Sequence, residues 1–429
     1  MPPAIREANP AVAIFGQLLP GSAGGIETNL LKLLAALAAE NGPEDRQFVI
    51  GPGGESAWIR PHLGNGQDVV KWPPLRCAMP TPSQENVPVE IARVVKDAVR
   101  KILGRGTLSA FSNSANQLSQ KLKSAGVEVV HFPYQRYFKT SLPFIFEPWD
   151  LQHIHLPELF SNEELKFRNW LYRLACEEAA LVVTATHWTK VDLIRQFGLS
   201  PSKIAVIPRG AEITPVDFAP GAIEDTLKKL QLPQRFALYP AKTWAHKNHI
   251  RLFQALALLR DKNNLVIPLV CTGKPIDSSA ESIQRELGSS GLSDQVFFTG
   301  FLDDDSMRHL YARADLMVFP SLFEGLGIPV LEAMTSGTPV VCSQASCLPE
   351  IGGDAAIFFD HYSIEDMASK IAMVWNDSAL RSDLKQRGYA NINSFTWAEA
   401  ARSFRVAYRY VANRPLDADE AQRLAAMLS

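Results

Sequence analysis

Cysteine is sparse and scattered in this chain: Cys77, Cys176, Cys271, Cys342 and Cys347, with no Cys-x-x-Cys pair. Such spacing supplies neither a disulfide framework nor the paired thiolates of a zinc site. Three of the five follow or end apolar runs, so reduced, buried thiols are expected. Long apolar stretches are lacking as well. No run approaches the roughly 20 residues of a membrane-spanning helix, and residues 1–10 are polar and proline-containing where a signal peptide would be apolar. A cytoplasmic location is the expectation. Charge of one sign is absent too: 43 Lys and Arg against 45 Asp and Glu leave a net −2, which excludes a generally basic nucleic-acid binder. Neither G-x-G-x-x-G nor G-x-x-x-x-G-K-[ST] occurs; Thr272-Gly273-Lys274 lacks the first glycine of a phosphate loop and runs into Pro275. No cofactor is expected, and no metal. Asp303, Asp304 and Asp305 precede a helix and read as caps, and His153 and His155 have no third ligand nearby.

What is present is strand and helix in alternation. At 429 residues, 46% hydrophobic and 21% charged, the chain is globular and longer than one ordinary core, so two domains are expected. An apolar run at 11–15 is followed by a glycine-bearing loop and a helix over 27–39 with leucines at 30, 31, 33, 34 and 37. Further strands are predicted at 47–50, 127–132, 145–146, 181–184 and 204–207, with helices at 167–178 and 188–197. Residues 149–155 read as extended, which would put His153 and His155 on one face. Six prolines over 61–88 predict a long surface excursion. The helix expected at 90–103 aligns Arg93, Lys96 and Arg100, a solvated face in preference to a membrane-surface contact. The pattern lapses over 211–232. It restarts with strands at 236–239, 266–271, 296–298, 316–319, 339–342 and 356–359, separated by helices, and two helical stretches follow Trp397. The fold class is α/β, doubly wound.

The most informative stretch is Phe323-Glu324-Gly325-Leu326-Gly327-Ile328-Pro329-Val330-Leu331-Glu332-Ala333. A buried strand leads into a glycine turn, and Pro329 is expected at the first helical position, where its fixed φ fits and its missing N–H is harmless. The N–H groups of Gly325, Leu326 and Gly327 would then point, with the positive end of the helix dipole, at an anion. Glu324 and Glu332 flank that anion site. Carboxylates bind phosphate poorly but accept readily from paired hydroxyls. A diphosphate with a sugar at each end, a nucleotide-sugar, is the ligand this pattern suits. Taken singly, an acid in a first helical turn is often plain dipole complementation, and Gly-x-Gly turns are common in doubly wound domains. Upstream, Lys242 and Lys247 lie between the end of a strand and the start of a helix, another arrangement suited to a diphosphate.

The stretch 323–333 resembles the signature of the retaining glycosyltransferases of family 4, with seven residues between its two glutamates. The resemblance runs from about residue 12 to about 411 and is most specific in the second half. It implies a GT-B fold, two Rossmann-like domains facing across a cleft: 1–210 on the acceptor side, a connection at 211–232, a nucleotide-sugar-binding domain at 233–395 and C-terminal helices at 396–429. It also implies the reaction, transfer of a glycosyl unit from a nucleotide-sugar to an acceptor hydroxyl with retention. By the same likeness Glu324 meets the donor sugar and Glu332 the nucleotide ribose. Lys247 holds the diphosphate, and Lys242 stands near the place of the family's arginine. Gly24 and Gly25 match a first loop that faces the phosphates, and Gly300 and Phe301 a segment beside the base. Residues 150–160 are similar to the acceptor-side segment, although Trp149 replaces its usual histidine. Asp150, His153 and His131 therefore remain open as the assisting group. GDP-mannose is the favoured donor, from the likeness to bacterial polysaccharide mannosyltransferases, and a saccharide or lipid-linked acceptor is implied. A peripheral contact at the inner face of the membrane is compatible with both. The alternatives are a catalytically silent nucleotide-sugar-binding subunit or sensor, and a nicotinamide-dependent oxidoreductase, for which the glycine fingerprint is missing.

Overall fold

A computed structural model describes residues 9–18, 25–52, 58–73, 107–211, 218–273 and 277–429. Gly24, Cys77, Lys274, the helix expected at 90–103 and most of the proline-rich excursion lie outside the described residues. The chain divides into two compact units. One comprises Met1–Ala185, Thr189–Pro208 and Trp397–Ser429; the other Thr186–Trp188 and Arg209–Thr396.

The first unit is built on a parallel sheet of seven strands: β1 (Val12–Phe15), β2 (Gln47–Pro52), β3 (Gln67–Trp72), β4 (Val129–Phe132), β5 (Phe144–Phe146), β6 (Leu181–Thr184) and β7 (Ile204–Val206). Their spatial order is β3-β2-β1-β4-β5-β6-β7. Strands covered on both faces need uninterrupted apolar runs, and β1, β4, β5 and β6 are buried at every position. The chain leaves β1 towards β2 and β3 and returns to β4 on the other side, pairing Val12 with Val129. β3 is an addition to the expected strands. Its exposed Asp68 and Lys71 break the apolar run, as an edge position permits.

One expectation is corrected here. Residues 149–155 are not extended. Trp149 has φ 66°, the Asp150 carboxylate accepts from Gln152 N at 3.1 Å, and a short helix, Gln152–His155, follows. The histidines therefore diverge instead of sharing a face. Residues 397–429, within the stretch expected as C-terminal helices, belong to the first unit. The helix Trp397–Val411 buries Ala400, Ala401, Phe404, Ala407, Tyr408 and Val411 at helical spacing in the core of the first unit. Arg405 reinforces the seam, donating to Asp45 and to the carbonyl of Glu40, each at 2.6 Å.

The second unit carries six parallel strands: β8 (Ala237–Pro240), β9 (Leu269–Thr272), β10 (Val296–Gly300), β11 (Leu316–Phe319), β12 (Val340–Ser343) and β13 (Ala356–Phe359). Their order is β10-β9-β8-β11-β12-β13. From β8 the chain winds outward through β9 and β10, then returns to β11 on the other side of β8. The loops after β8 and β11 consequently leave neighbouring strand ends in opposite directions, the place where open α/β sheets bind ligands. The expected connection is partly absorbed into this unit, since the helix Ala222–Lys229 buries Leu227.

Candidate active site

The β8 and β11 loops bring together two residues that are distant in sequence. Lys247 Nζ donates to Glu324 Oε1 at 2.6 Å, and the two side chains are only 14% and 12% exposed. The lysine is held from several directions. It closes a 3-10 turn, Ala245–Lys247, and its carbonyl accepts from the buried Tyr239 hydroxyl. Its ammonium also lies 4.9 Å from the Phe319 ring centroid. Asn248 follows in the left-handed region, φ 62°, and its amide donates at 3.0 Å to the carbonyls of both Pro320 and His361. The main chains meet as well, Leu322 N donating to His246 O at 2.8 Å. An ammonium has three donors, so pairing with Glu324 leaves Lys247 able to bind an anion at the same time. Lys242 is half-buried, 5.6 Å from the Trp244 ring centroid, and no carboxylate pairs with it among the described residues.

The glycine turn after β11 ends as a helix start. Gly327 has φ 78° and ψ 45°, and a Cβ there would stand 2.6 Å from Leu348 Cδ2, so backbone and space both require glycine. The helix Ile328–Thr335 opens at Ile328, which places Pro329 second and not first. Glu332 is half-buried on this helix, and its Oε2 accepts from the Tyr311 hydroxyl at 2.7 Å. Burial pushes its carboxyl up to about 7 and the nearby Asp304 charge adds to the rise, while the Tyr311 bond opposes it. Asp303 caps the helix Asp304–Arg313, accepting from Ser306 N at 2.7 Å. Gly300, φ 72°, and Phe301, 72% exposed, stand at the end of the edge strand β10. They are tied inward by Gly273 N, which donates to Gly300 O at 2.8 Å.

The acceptor-side candidates in the first unit separate sharply. His131 is fully buried on β4, with Nδ1 2.9 Å from the Tyr408 hydroxyl and Nε2 2.7 Å from Glu147. Its ring lies 4.9 Å from that of Phe404. It is engaged with the C-terminal helix and offers a substrate no open nitrogen. His153 is also enclosed, edge-on to Tyr172 at 5.0 Å and to Phe160 at 6.5 Å. Burial, helped by the Arg168 charge, lowers its imidazolium to about 4. Both rings are enclosed by protein side chains. Asp150 alone of the three is not fully buried. Gly25 opens the helix Gly25–Glu40 and is exposed, and among the described residues no other part of the protein stands within 4 Å of where a Cβ would be.

Two supports escaped the sequence reading, Tyr311 and Asn248. An asparagine directly before a helix, after two basic residues, is a detectable left-handed cap signal. The Tyr311–Glu332 bond, 21 residues long, has no local signature.

Comparison with known proteins bears on the family and the fold. The family described as "Glycosyl transferases group 1" matches residues 223–391, and "Glycosyltransferase Family 4" matches residues 23–214. The chain is 27% identical over 262 residues to the O-antigen chain mannosyltransferase B of Escherichia coli, covering 61% of this chain and 68% of that one. It is 35% identical over 193 residues to the serotype-specific mannosyltransferase WbdA of the same organism. That match covers 45% of this chain and only 24% of the relative. Among solved structures, a glycosyltransferase from Rickettsia africae superimposes with a TM-score of 0.67 at 15% identity, over 95% of this chain and 100% of that one. No helix among the described residues is long and apolar enough to cross a membrane.

Proposed function

Since the chain is a family 4 glycosyltransferase of GT-B fold, we propose that it transfers mannose from GDP-mannose, with retention, to a saccharide or lipid-linked acceptor in polysaccharide synthesis. The names of its relatives favour mannose. The observation that carries the reading is the Lys247–Glu324 pair at the strand-order switch between β8 and β11. As the anomeric C–O bond breaks, negative charge builds on the departing diphosphate. Lys247, Lys242 and the N–H groups of Gly325 to Gly327 are the groups to meet it, and preorganised donors of this kind are worth about 10²–10³ in rate each. Glu324 accepts from hydroxyls of the transferring sugar, and Glu332 from the ribose diol. A departing phosphate oxygen takes the acceptor proton on the same face, which gives retention without a protein nucleophile. The first unit contributes to acceptor binding, with Asp150 the candidate that remains accessible.

The test is nucleoside diphosphate release from a panel of UDP-glucose, UDP-galactose, UDP-N-acetylglucosamine, GDP-mannose and GDP-fucose, with and without EDTA. GDP-mannose should react fastest and survive chelation, and NMR of the product should show the α-anomer retained. No release from any donor would refute the enzymatic reading. Abolition by EDTA would refute the assignment of the leaving-group charge to lysines and amides.

A further inference from the structure

The hydrogen-bond ladder between β11 and β12 ends at the pair Phe319–Cys342. Beyond it the two chains continue side by side, and serine hydroxyls replace the ladder. Ser343 Oγ donates to Ser321 O at 2.6 Å. Three residues on, Ser346 Oγ accepts from Glu324 N at 2.9 Å and donates to Glu324 O at 2.8 Å. Each serine follows the residue it holds by 22 positions, so the two clamps repeat in register. The buried Cys347 thiol adds a weak third contact, 3.2 Å from Glu324 O, and Leu348 closes against Gly327. Both main-chain groups of Glu324 are thus taken by a single side chain.

The backbone of Ser346 makes this informative. Its φ is 46°, a left-handed conformation that serine adopts reluctantly and glycine freely. A loop that needed only this shape would be better served by glycine. Serine at a strained position indicates that the hydroxyl is what the site requires. We propose that Ser346 is a positioning residue for the transfer reaction: its hydroxyl clamps the backbone of Glu324 so that the carboxylate is presented, beside Lys247, to the hydroxyls of the transferring sugar. This rests on the reading of Glu324 given above.

The discriminating substitution is Ser346→Gly, which removes the hydroxyl and relieves the backbone strain together. Turnover is measured with whichever panel donor is fastest, affinity by calorimetry with its free nucleoside diphosphate, and folding by melting temperature. The expected result is a fall in kcat of tenfold or more, a nucleoside diphosphate Kd within twofold of wild type and an equal or higher melting temperature. Placed on a Glu324→Gln background, Ser346→Gly should cost nothing further, because it acts through that carboxylate. A kcat within twofold of wild type would overturn the proposal. So would an equal loss in both backgrounds, or nucleotide affinity falling in step with turnover, since either would make Ser346 a general support of the loop. Failure of the underlying reading shows separately, as full turnover in Glu324→Gln alone.

Discussion

Replacing Glu332 by glutamine should make the protein more stable, and by an amount that depends on pH. The folded protein holds the Glu332 proton from the ordinary 4.5 up to about 7, chiefly because the carboxyl is desolvated on the helix Ile328–Thr335. Below pH 4.5 the group is protonated whether or not the chain is folded, and it contributes nothing. Between 4.5 and about 7 the unfolded chain releases the proton while the folded one keeps it, so rising pH favours unfolding. Above about 7 the penalty is complete, about 3 kcal/mol at most, with water around the half-buried carboxyl reducing it. Glutamine cannot ionise, yet its carbonyl can still accept from the Tyr311 hydroxyl. The stability difference between Glu332→Gln and wild type should therefore grow from near zero at pH 4.5 to about 2–3 kcal/mol at pH 8. Urea denaturation at unit pH intervals measures this, and the carboxyl carbon shift of Glu332 gives the titration directly. A difference that stays constant across the range would refute the desolvation argument. Tyr311→Phe removes the bond that opposes the rise, so in that variant the midpoint should move above 7.

The two glutamates should separate in binding: Glu324→Ala removes turnover and leaves nucleoside diphosphate affinity nearly intact, while Glu332→Ala weakens that affinity by about 1–3 kcal/mol. Equal losses in calorimetry would cancel the division into sugar and ribose contacts. Substituting His131 by leucine removes its buried hydrogen bonds to Glu147 and Tyr408 and should lower stability by about 1–3 kcal/mol, with kcat preserved in the folded fraction. Lost kcat at an unchanged melting temperature would instead place His131 in the reaction. A chain ending at residue 396 strips Phe404, Tyr408 and their neighbours from the first unit's core, and should bind a hydrophobic dye and lose cooperative melting. Retention of a native melt would contradict the assignment of the last helices to that unit.

How far the fold was legible depended on where each signal resides. Doubly covered strands announce themselves as apolar runs, and 316–319 and 181–184 were plain for that reason. β3 was hidden because an edge strand keeps polar residues on its exposed positions, and prolines nearby suggested a loop. At 149–155 the alternation was real, but the Asp150 turn starts a helix and overrides it. His131 was correctly placed near the end of a strand. Period two cannot tell which of two buried faces a residue points to, and the face it took is covered by a helix 277 residues later in the chain.

The candidate site could be read for a different reason: its proposed chemistry is concentrated in two loops, each with a local pattern of its own. What no local pattern carries is that the loops meet. Lys247 and Glu324 are 77 residues apart, and each taken alone suggested a separate ligand, the lysine a phosphate and the glutamate a sugar. Their 2.6 Å contact changes that reading. On the proposed function, an arriving diphosphate must share the ammonium with Glu324, and whatever it draws from the ammonium it frees on the carboxylate. A freed carboxylate oxygen seeks another donor, and the sugar hydroxyl on the same ligand can supply one. Phosphate and sugar recognition are then one exchange. Lys247→Ala should consequently weaken discrimination among donor sugars as well as diphosphate affinity, measurable as a narrowed spread of kcat/KM across the panel. An unchanged spread would show that the two contacts act independently.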